Sequence, residues 1–298
     1  MRRFILFFAI LFCTKELVSA SNDSLRTRKL ALSISTGLFS AGTLITLQQA
    51  WYADYNTGRF HFFNDNHEWF QMDKAGHVYS TYQSARLLME ACNWAGCNRK
   101  TRYMLGAGAG FVFMTGIEIL DGYSRGWGYS WGDQLADGLG TGMAVAQDLL
   151  WEEQRLQLKL SYAPSGLAKY NPALLGRNFQ EQLLKDYNGQ TYWLSINPAS
   201  FFTKEKSLRT ALSIAIGYSA RGMLGAVNNN KAALQPDGTL IAVQRERLCL
   251  LSLDLDLRKL PIRSRFVKSI LSVVQIVKIP APALQFSRRG IRAYGIYF

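Results

Sequence analysis

The chain has 298 residues, is 48% hydrophobic and carries a net charge of +13. The charge is uneven, because residues 1–150 hold 13 basic and 12 acidic side chains whereas residues 151–298 hold 21 and 9. Basic surfaces attract nucleic acids or lipid phosphates. Since no DNA- or RNA-binding motif accompanies the charge, the composition argues against a nucleic-acid partner and favours an anionic lipid or lipopolysaccharide surface.

The N-terminus has the pattern of a secretory signal. Two arginines precede an uncharged stretch at residues 4–12, and a small-residue cleavage motif ends at Ala20. This pattern predicts that residues 1–20 are a cleaved signal peptide and that the protein is exported to the periplasm or outer membrane of a bacterium. A lipid anchor on Cys13 is the less favoured alternative, because the bulky Phe12 precedes that cysteine.

Residues 30–53 carry no charge and contain many small residues. This segment is long enough to span a bilayer, but its small residues favour a helix packed against other helices. Residues 52–71 combine aromatic side chains with turn-forming asparagines and are expected to form a packed loop. His61 and His67 lie in this loop, where packing and hydrogen bonding are favoured over metal binding.

A second helix is predicted from Asp73, whose side chain suits the N-cap position, to Cys92. His77 lies one turn after Asp73 and shares a face with the apolar end of the helix, so its ring is expected to point inward. Cys92 and Cys97 flank the following turn. Two alternatives are open for them, a disulfide bond across the turn or two unpaired thiols, and a zinc site is not expected.

Two glycine-rich helices are predicted next, at residues 99–121 and after Gly132. Glycine lowers helix propensity, so its density predicts close approach between helix backbones. The connection at residues 122–132 is rich in glycine and aromatic residues and is expected to fold over the helix ends. Together these segments predict an N-terminal four-helix unit with glycine-rich packing.

Six polar residues are candidates for a site in this unit, because short antiparallel connections would bring the helix ends that carry them to the same side. Buried carboxylates also need a partner. The alternative is structural: Asp73 pairs with Lys74 or Arg125, and the later carboxylates bond helix ends. The candidate catalytic residues are Asp73, His77, Glu118, Asp121, Asp133 and Asp137. Four of them, His77, Glu118, Asp121 and Asp133, are also candidate ligands of a divalent metal ion.

The motif Asp73-Lys74-x-x-His77, then Glu118 and Asp121, then Ser130-x-x-Asp133-x-x-x-Asp137-Gly138-x-Gly140, resembles the YfiM-like family of exported bacterial proteins. The chain is more distantly similar to the VanZ-like membrane family, which has an asparagine where Asp137 stands. The resemblance covers residues 30–150 and implies an exported helical domain. It implies no reaction, because the YfiM-like family has no established biochemistry.

After Trp151 apolar and polar residues alternate with the period of a strand. Five strands are expected, at residues 156–162, 192–196, 211–218, 251–257 and 292–298. A helical half followed by a strand-rich half predicts an α+β fold. Single-chain outer-membrane barrels start at about eight strands, so we expect a partial, sheet-like unit and not a full barrel. The predicted division is a signal peptide at 1–20, a helical domain at 21–150 and a basic, strand-rich region at 151–298.

Two hypotheses follow for the function. The favoured one is a non-enzymatic structural or accessory component associated with the outer membrane, with an outer-membrane protein complex as a further partner. The alternative is a membrane-proximal, metal- or histidine-assisted hydrolase, or a ligand-binding protein, that acts on a lipid or envelope substrate through His77 and the carboxylates. A basic cluster in the second half is expected to bind anionic lipids. Its members are Arg258, Lys259, Arg263, Arg265 and Lys268.

Overall fold

The computed structural model describes residues 22–47, 58–229 and 242–298. The predicted signal peptide, Cys13 and residues 48–53 of the first predicted helix lie outside these ranges. The chain forms two compact units, each described separately below. The helical unit holds the described residues up to 65 together with 80–152 and 264–273, and the sheet unit holds 66–79, 153–263 and 274–298.

Five helices contribute to the helical unit. They are α1 (Asn22–Leu47), α2 (Met72–Trp94), α3 (Arg99–Tyr123), α4 (Trp131–Trp151) and α8 (Arg265–Val274). Helix α3 contains a π-helical stretch, Arg102–Ala107. Helix α2 contributes residues 80–94 to this unit and 72–79 to the sheet unit. Helix α1 starts eight residues before the predicted segment, because its charged first turns are solvent-exposed and are compatible with a helix.

The glycine density predicted close backbone contact for both α3 and α4, and the structure shows it for α3, against α2. In α4, by contrast, a Cβ atom on Gly138 would meet only Phe111 at 3.9 Å, and one on Gly142 would meet nothing within 4 Å. A Cβ atom on Gly106 would lie 3.0 Å from the Met89 Cα, and one on Gly110 would lie 2.7 Å from the Ser84 Cβ. Only glycine fits at such distances. The glycine-rich packing of this unit is therefore present, and it places two helix backbones against each other.

The outer surface of the helical unit is strongly apolar. Leu30, Ile34 and Leu38 of α1 are between 53% and 69% exposed, and Leu135 and Leu139 of α4 are 69% and 67% exposed. Inside, a small cluster of Leu32, Ala91, Cys92 and Ala95 joins α1 to the end of α2. Isolated exposed leucines are ordinary in soluble proteins, but residues spaced four apart, as these are, make an apolar stripe along each helix.

The sheet unit is a six-stranded antiparallel meander in the order β1-β2-β3-β4-β5-β6. The strands are β1 (Leu156–Tyr162), β2 (Gln190–Ile196), β3 (Leu212–Arg221), β4 (Glu246–Leu255), β5 (Ala281–Ser287) and β6 (Gly290–Tyr297). Short helices α5 (Pro172–Leu175) and α6 (Phe179–Lys185) lie between β1 and β2, and α7 (Leu208–Ala211) leads into β3. The fold is α+β and the sheet is not closed into a barrel, which confirms the predicted class.

Strand β5 was not among the five predicted strands. Its sequence begins Ala281-Pro282, and proline in a strand interior normally argues against a strand because it donates no hydrogen bond. The structure accommodates Pro282 at an irregularity between β5 and β6, where the register shifts between Ala281 and Ala283. Strand β5 therefore depends on a bulge that the sequence pattern does not reveal.

The two faces of the sheet differ in an unusual way. Polar side chains are buried along one face, including Gln157, Lys159, Ser195 and Asp254, beside a smaller apolar cluster around Trp193. Most side chains at the alternate positions of β3 to β6 are apolar and exposed, among them Ile216, Leu251 and Leu284. A soluble sheet commonly buries its apolar face and exposes its polar one, so the burial in this sheet is inverted.

Candidate functional site

The six candidate residues are divided between the two units. Asp73 and His77 belong to the sheet unit, and Glu118, Asp121, Asp133 and Asp137 belong to the helical unit. Their predicted convergence at one site therefore stays a prediction, and the geometry within each unit is described separately.

In the sheet unit, Asp73 accepts a hydrogen bond from the Tyr187 hydroxyl at 2.6 Å. His77 Nε2 lies 4.0 Å from Asp73 Oδ1, and the Lys74 amine lies 3.6 Å from Oδ2. The predicted Asp73–Lys74 pair is thus present. Helix α2 begins at Met72, directly after the 3₁₀ turn Trp69–Gln71, so Asp73 lies within the first turn and the predicted N-cap role is wrong.

Gly76 gives this part of α2 room for a tyrosine. A Cβ atom on Gly76 would lie 2.8 Å from the Tyr192 hydroxyl oxygen of β2, and that hydroxyl donates to Gln190 at 2.7 Å. Burial raises the pKa of Tyr192, and the negative charge of Asp73 raises it further. The phenol is therefore a neutral hydrogen-bond donor next to the Asp73–His77 pair.

In the helical unit, the carboxylates surround the start of α4. Glu118 accepts a hydrogen bond from the Ser130 backbone N–H at 3.1 Å and is 1% exposed. Ser130 is the N-cap of α4, since its hydroxyl oxygen accepts from the Asp133 N–H at 3.2 Å, and the same hydroxyl donates to Asp65 at 2.6 Å. Asp133 and Asp137 are 3% and 0% exposed. Sequence reasoning assigned the helix-end role to Asp133 and Asp137, whereas Ser130 is the residue that performs it.

Asp121 has a different position from the other three. It lies in the last turn of α3, is half-buried, and its backbone carbonyl accepts the Ser124 N–H at 3.0 Å. Tyr129 lies near two of the other carboxylates. Burial raises the pKa of its phenol, and the negative charges of Glu118 and Asp137 raise that pKa further. Tyr129 also donates to Gln134 at 3.1 Å.

The aromatic loop packs against the ends of these helices, as the sequence predicted. The His61 N–H donates to the Gly122 carbonyl at 2.9 Å, and the Phe63 N–H donates to the Tyr129 carbonyl at 3.0 Å. Phe62 stacks on Trp131 with ring centroids 5.9 Å apart. His61 itself is exposed, so the contribution of this segment is its backbone and its aromatic rings.

Sequence reasoning missed a buried polar network inside the sheet. The Lys159 amine lies 2.5 Å from Asp254 Oδ2, and the Ser195 hydroxyl donates to the same oxygen at 2.6 Å. Burial lowers the pKa of Lys159 despite the Asp254 charge. The Lys278 amine lies 4.6 Å from the centre of the Trp193 ring, and burial lowers its pKa to about 8. The available signal was the run Leu-Gln-Leu-Lys-Leu-Ser in β1, in which every second residue is polar.

A second network surrounds Asp256, just after β4. Gln157 and Gln275 donate to its carboxylate at 2.8 and 2.9 Å, and the Arg258 guanidinium approaches within 3.0 Å. Burial raises the pKa of Asp256, but the Arg258 charge and the hydrogen bonds outweigh burial and hold that pKa well below its usual range.

This geometry corrects the membership of the predicted basic cluster. Arg258 is bound to Asp256, and the Lys259 amine, 3% exposed, lies 2.6 Å from Glu153. Both are internal ion pairs and are not available to a lipid surface. Arg263, Arg265 and Lys268 are exposed, so three of the five predicted charges remain.

Cys92, in the last turn of α2, and Cys97, just after it, are thiols in the structure, which selects one of the two alternatives. Burial, followed by the neighbouring Cys97, raises the pKa of Cys92 to about 12. Cys92 is therefore a protonated, inert side chain in the apolar cluster with Leu32.

Among the described helices, α3 alone has the length and apolar composition that would allow a membrane crossing. Much of its surface is exposed: Met104, Leu105 and Val112 are 63%, 62% and 68% accessible. Length and composition do not distinguish a spanning helix from a core helix, but a core helix would bury these side chains.

Residues 61–148 match a family model described as a predicted periplasmic lipoprotein (DUF2279). The matched segment runs from the aromatic loop to α4 and includes all six candidate residues. The match supports similarity to an exported family of unknown function and is consistent with a cell-envelope and periplasmic location. The match does not support the resemblance to the YfiM-like or VanZ-like family, and both resemblances stay predictions. No curated protein and no solved structure matches the chain.

Proposed function

We propose that this protein is a non-enzymatic structural or accessory component of the bacterial outer membrane, held at the lipid surface by its helical unit. The observation that carries the proposal is α3, a 25-residue apolar helix whose outward side chains are exposed to solvent. Exposed apolar surface on this scale marks an interaction site. The proposal includes a cleaved signal peptide ending at Ala20 and an outer-membrane protein complex as a further partner.

The bonding of the carboxylates supports a structural role. Glu118 accepts the N–H of the residue that caps α4, and Asp73 accepts the Tyr187 hydroxyl. Each of these bonds stabilises an element of the fold without a substrate. A carboxylate that accepts such a bond is compensated for the cost of its burial.

Anionic lipid or lipopolysaccharide is the proposed surface. The exposed charges Arg265 and Lys268 lie in the first turns of α8, and Arg263 lies two residues before that helix. Ser272 of α8 bonds α2 through Arg86 and Glu90. Each such charge contributes on the order of 1 kcal/mol near an anionic membrane, and the attraction weakens with salt.

The test is sedimentation with vesicles of phosphatidylethanolamine and phosphatidylglycerol. The double variant Leu105→Lys, Val112→Lys places two charges on the apolar face of α3, and each charge is costly in a bilayer, so the bound fraction should fall by about tenfold or more. Val227→Lys is the matched control, because Val227 is 58% exposed in a loop of the sheet unit, and it should bind like the unmodified protein. Recovery of the unmodified protein in a detergent-free periplasmic extract would contradict the proposal.

The alternative is a metal- or histidine-assisted hydrolase, or a ligand-binding protein, that acts on an envelope lipid. The Asp73–His77 pair favours it, because a carboxylate next to an imidazole can orient a general base or a metal ligand. Elemental analysis of the purified protein and of His77→Ala separates the two functions. A stoichiometric divalent metal that is lost in His77→Ala would replace the structural proposal with the catalytic one.

A further inference from the structure

The outer face of the sheet is a continuous apolar surface across four strands. In β3 to β6 the strand register places Ile216 beside Leu251, Leu251 beside Leu284, and Leu284 beside Ala293. A second row runs from Cys249 through Phe286 to Ile291 by the same pairings. The leucines, isoleucines and Phe286 in these rows are between 38% and 68% exposed.

The remaining part of the outer face is covered. In β2, Tyr192 contacts the first turns of α2, where Gly76 admits its hydroxyl and Tyr79 packs on its ring at 5.8 Å. The outward leucines of β1 and β2 are half-buried. The chain therefore covers the outer face over β1 and β2 and at Tyr218 of β3, whose hydroxyl donates to the Phe70 carbonyl, and leaves the rest of the face open from β3 to β6.

Burial on the opposite face shows that this exposure is not simply a missing core. The inner side buries bonded polar groups, Lys159, Asp254 and Ser195, next to an apolar cluster that includes Trp193 and Leu250. A sheet that faces water would place such polar groups outside and would not expose its leucines and isoleucines in continuous rows. The arrangement in which apolar side chains point out and polar ones point in is the one used by sheets that face lipid.

Basic side chains border the open part of this face. The turn between β5 and β6 carries the exposed Arg288 and Arg289, and the Arg289 side chain, which is 50% exposed, lies 3.7 Å from Glu246. They flank Phe286 and Ile291, which are paired neighbours in the apolar rows. Apolar side chains bordered by arginines match the hydrocarbon and phosphate layers of an anionic membrane.

We infer that the outer face of β3 to β6 lies on the hydrocarbon of an anionic bilayer, with the β5–β6 turn at the phosphates. This inference deepens the proposed membrane association and rests on it. Of the described strands, β6 pairs with β5 alone. Because unpaired backbone groups are costly in hydrocarbon, the sheet lies on the membrane with the β6 edge in the headgroup layer and does not span it.

Cys249 provides a probe on this face. It is exposed on β4, between Tyr218 and Phe286. An environment-sensitive fluorophore is attached to Cys249 in the exported protein that carries Cys92→Ser and Cys97→Ser. The vesicles contain phosphatidylethanolamine and phosphatidylglycerol. One set carries a quencher on the acyl chains and the other set carries it on the headgroups. We expect a blue shift and several-fold stronger quenching by the acyl-chain quencher.

Two further variants control for the label and for the face. A label on Phe202→Cys, with Cys249→Ser, reports from a residue that is 88% exposed in the same unit but outside the strands, and acyl-chain quenching should be absent there. Adding Ile216→Asp and Leu251→Asp to the Cys249-labelled protein should abolish its acyl-chain quenching while circular dichroism stays unchanged.

Each remaining outcome overturns the inference. If the protein sediments with vesicles but the Cys249 label is quenched only from the headgroups or not at all, the helical unit alone contacts lipid and the proposed function stands. If the protein does not sediment, both proposals fail. If the label is shielded without lipid at high protein concentration, together with a dimer in analytical ultracentrifugation, the face is an interface between copies of this chain.

Discussion

The helical unit and the sheet unit reach the same arrangement, an apolar exterior over a compact interior, by different means. In the helical unit α2 and α3 meet at close range through glycine, as at Gly110 against Ser84. In the sheet unit the interior holds charged and polar side chains, as in the Lys159–Asp254 pair. The two units should therefore lose stability to different kinds of mutation. Added volume should damage the helical unit, and lost charge should damage the sheet unit.

The largest effect is expected from Asp254→Leu. This change leaves Lys159, whose side chain is 1% exposed, as a buried and unpaired charge. Removing one partner of a buried ion pair costs about 3–5 kcal/mol of unfolding free energy. Urea titration followed by hydrogen exchange of the β1 and β4 amides measures the loss, and the amides of α3 should change little.

The matched control for this variant is the double change Lys159→Met, Asp254→Leu. Replacing both members of a buried pair by apolar groups is often neutral or stabilising, so the double variant should recover most of the lost stability. Equal losses in the single and double variants would show that the sheet interior does not depend on charge pairing.

Two glycines of α3 should respond with opposite signs. Alanine at Gly110 would place its Cβ 2.7 Å from the Ser84 Cβ, whereas nothing lies within 4 Å of a Cβ at Gly108. We expect Gly110→Ala to cost about 1–3 kcal/mol by overpacking and Gly108→Ala to gain up to about 1 kcal/mol from helix propensity. Thermal unfolding measures both, and a stabilising Gly110→Ala would show that the backbones of α2 and α3 are not in contact.

The smallest effect is a pH dependence in the sheet unit. Burial lowers the pKa of Lys278 to about 8, with Asp254 opposing and Lys159 adding to the shift. The unfolded chain therefore holds this proton up to a higher pH than the folded chain does, so this group makes stability rise as the pH increases from about 8 towards 10. Lys278→Met should lack that rise in urea titrations at several pH values. Identical slopes in both proteins would mean that the amine is not desolvated.

The elements themselves were largely predictable from local pattern. Uncharged, glycine-rich segments predicted α3 and α4, and alternation predicted five of the six strands. The miss at β5 has a local cause, since Pro282 opposes a strand unless a bulge accommodates it. In the candidate site, the motif identified residues that are buried, but it assigned the α4 cap to carboxylates because it did not weigh the hydroxyl of Ser130 against them.

The sequence by itself determined the α+β order, the glycine contact between helices and the positions that alternate along each strand. Only the tertiary structure decided which set of alternating positions is buried. The physical reason is that a period of two defines two faces of a strand without assigning either to the interior. That assignment depends on partners distant in sequence, as Lys159 finds Asp254 and Arg258 finds Asp256. The same pairings removed two charges from the predicted basic surface and left the leucines of β3 to β5 outside.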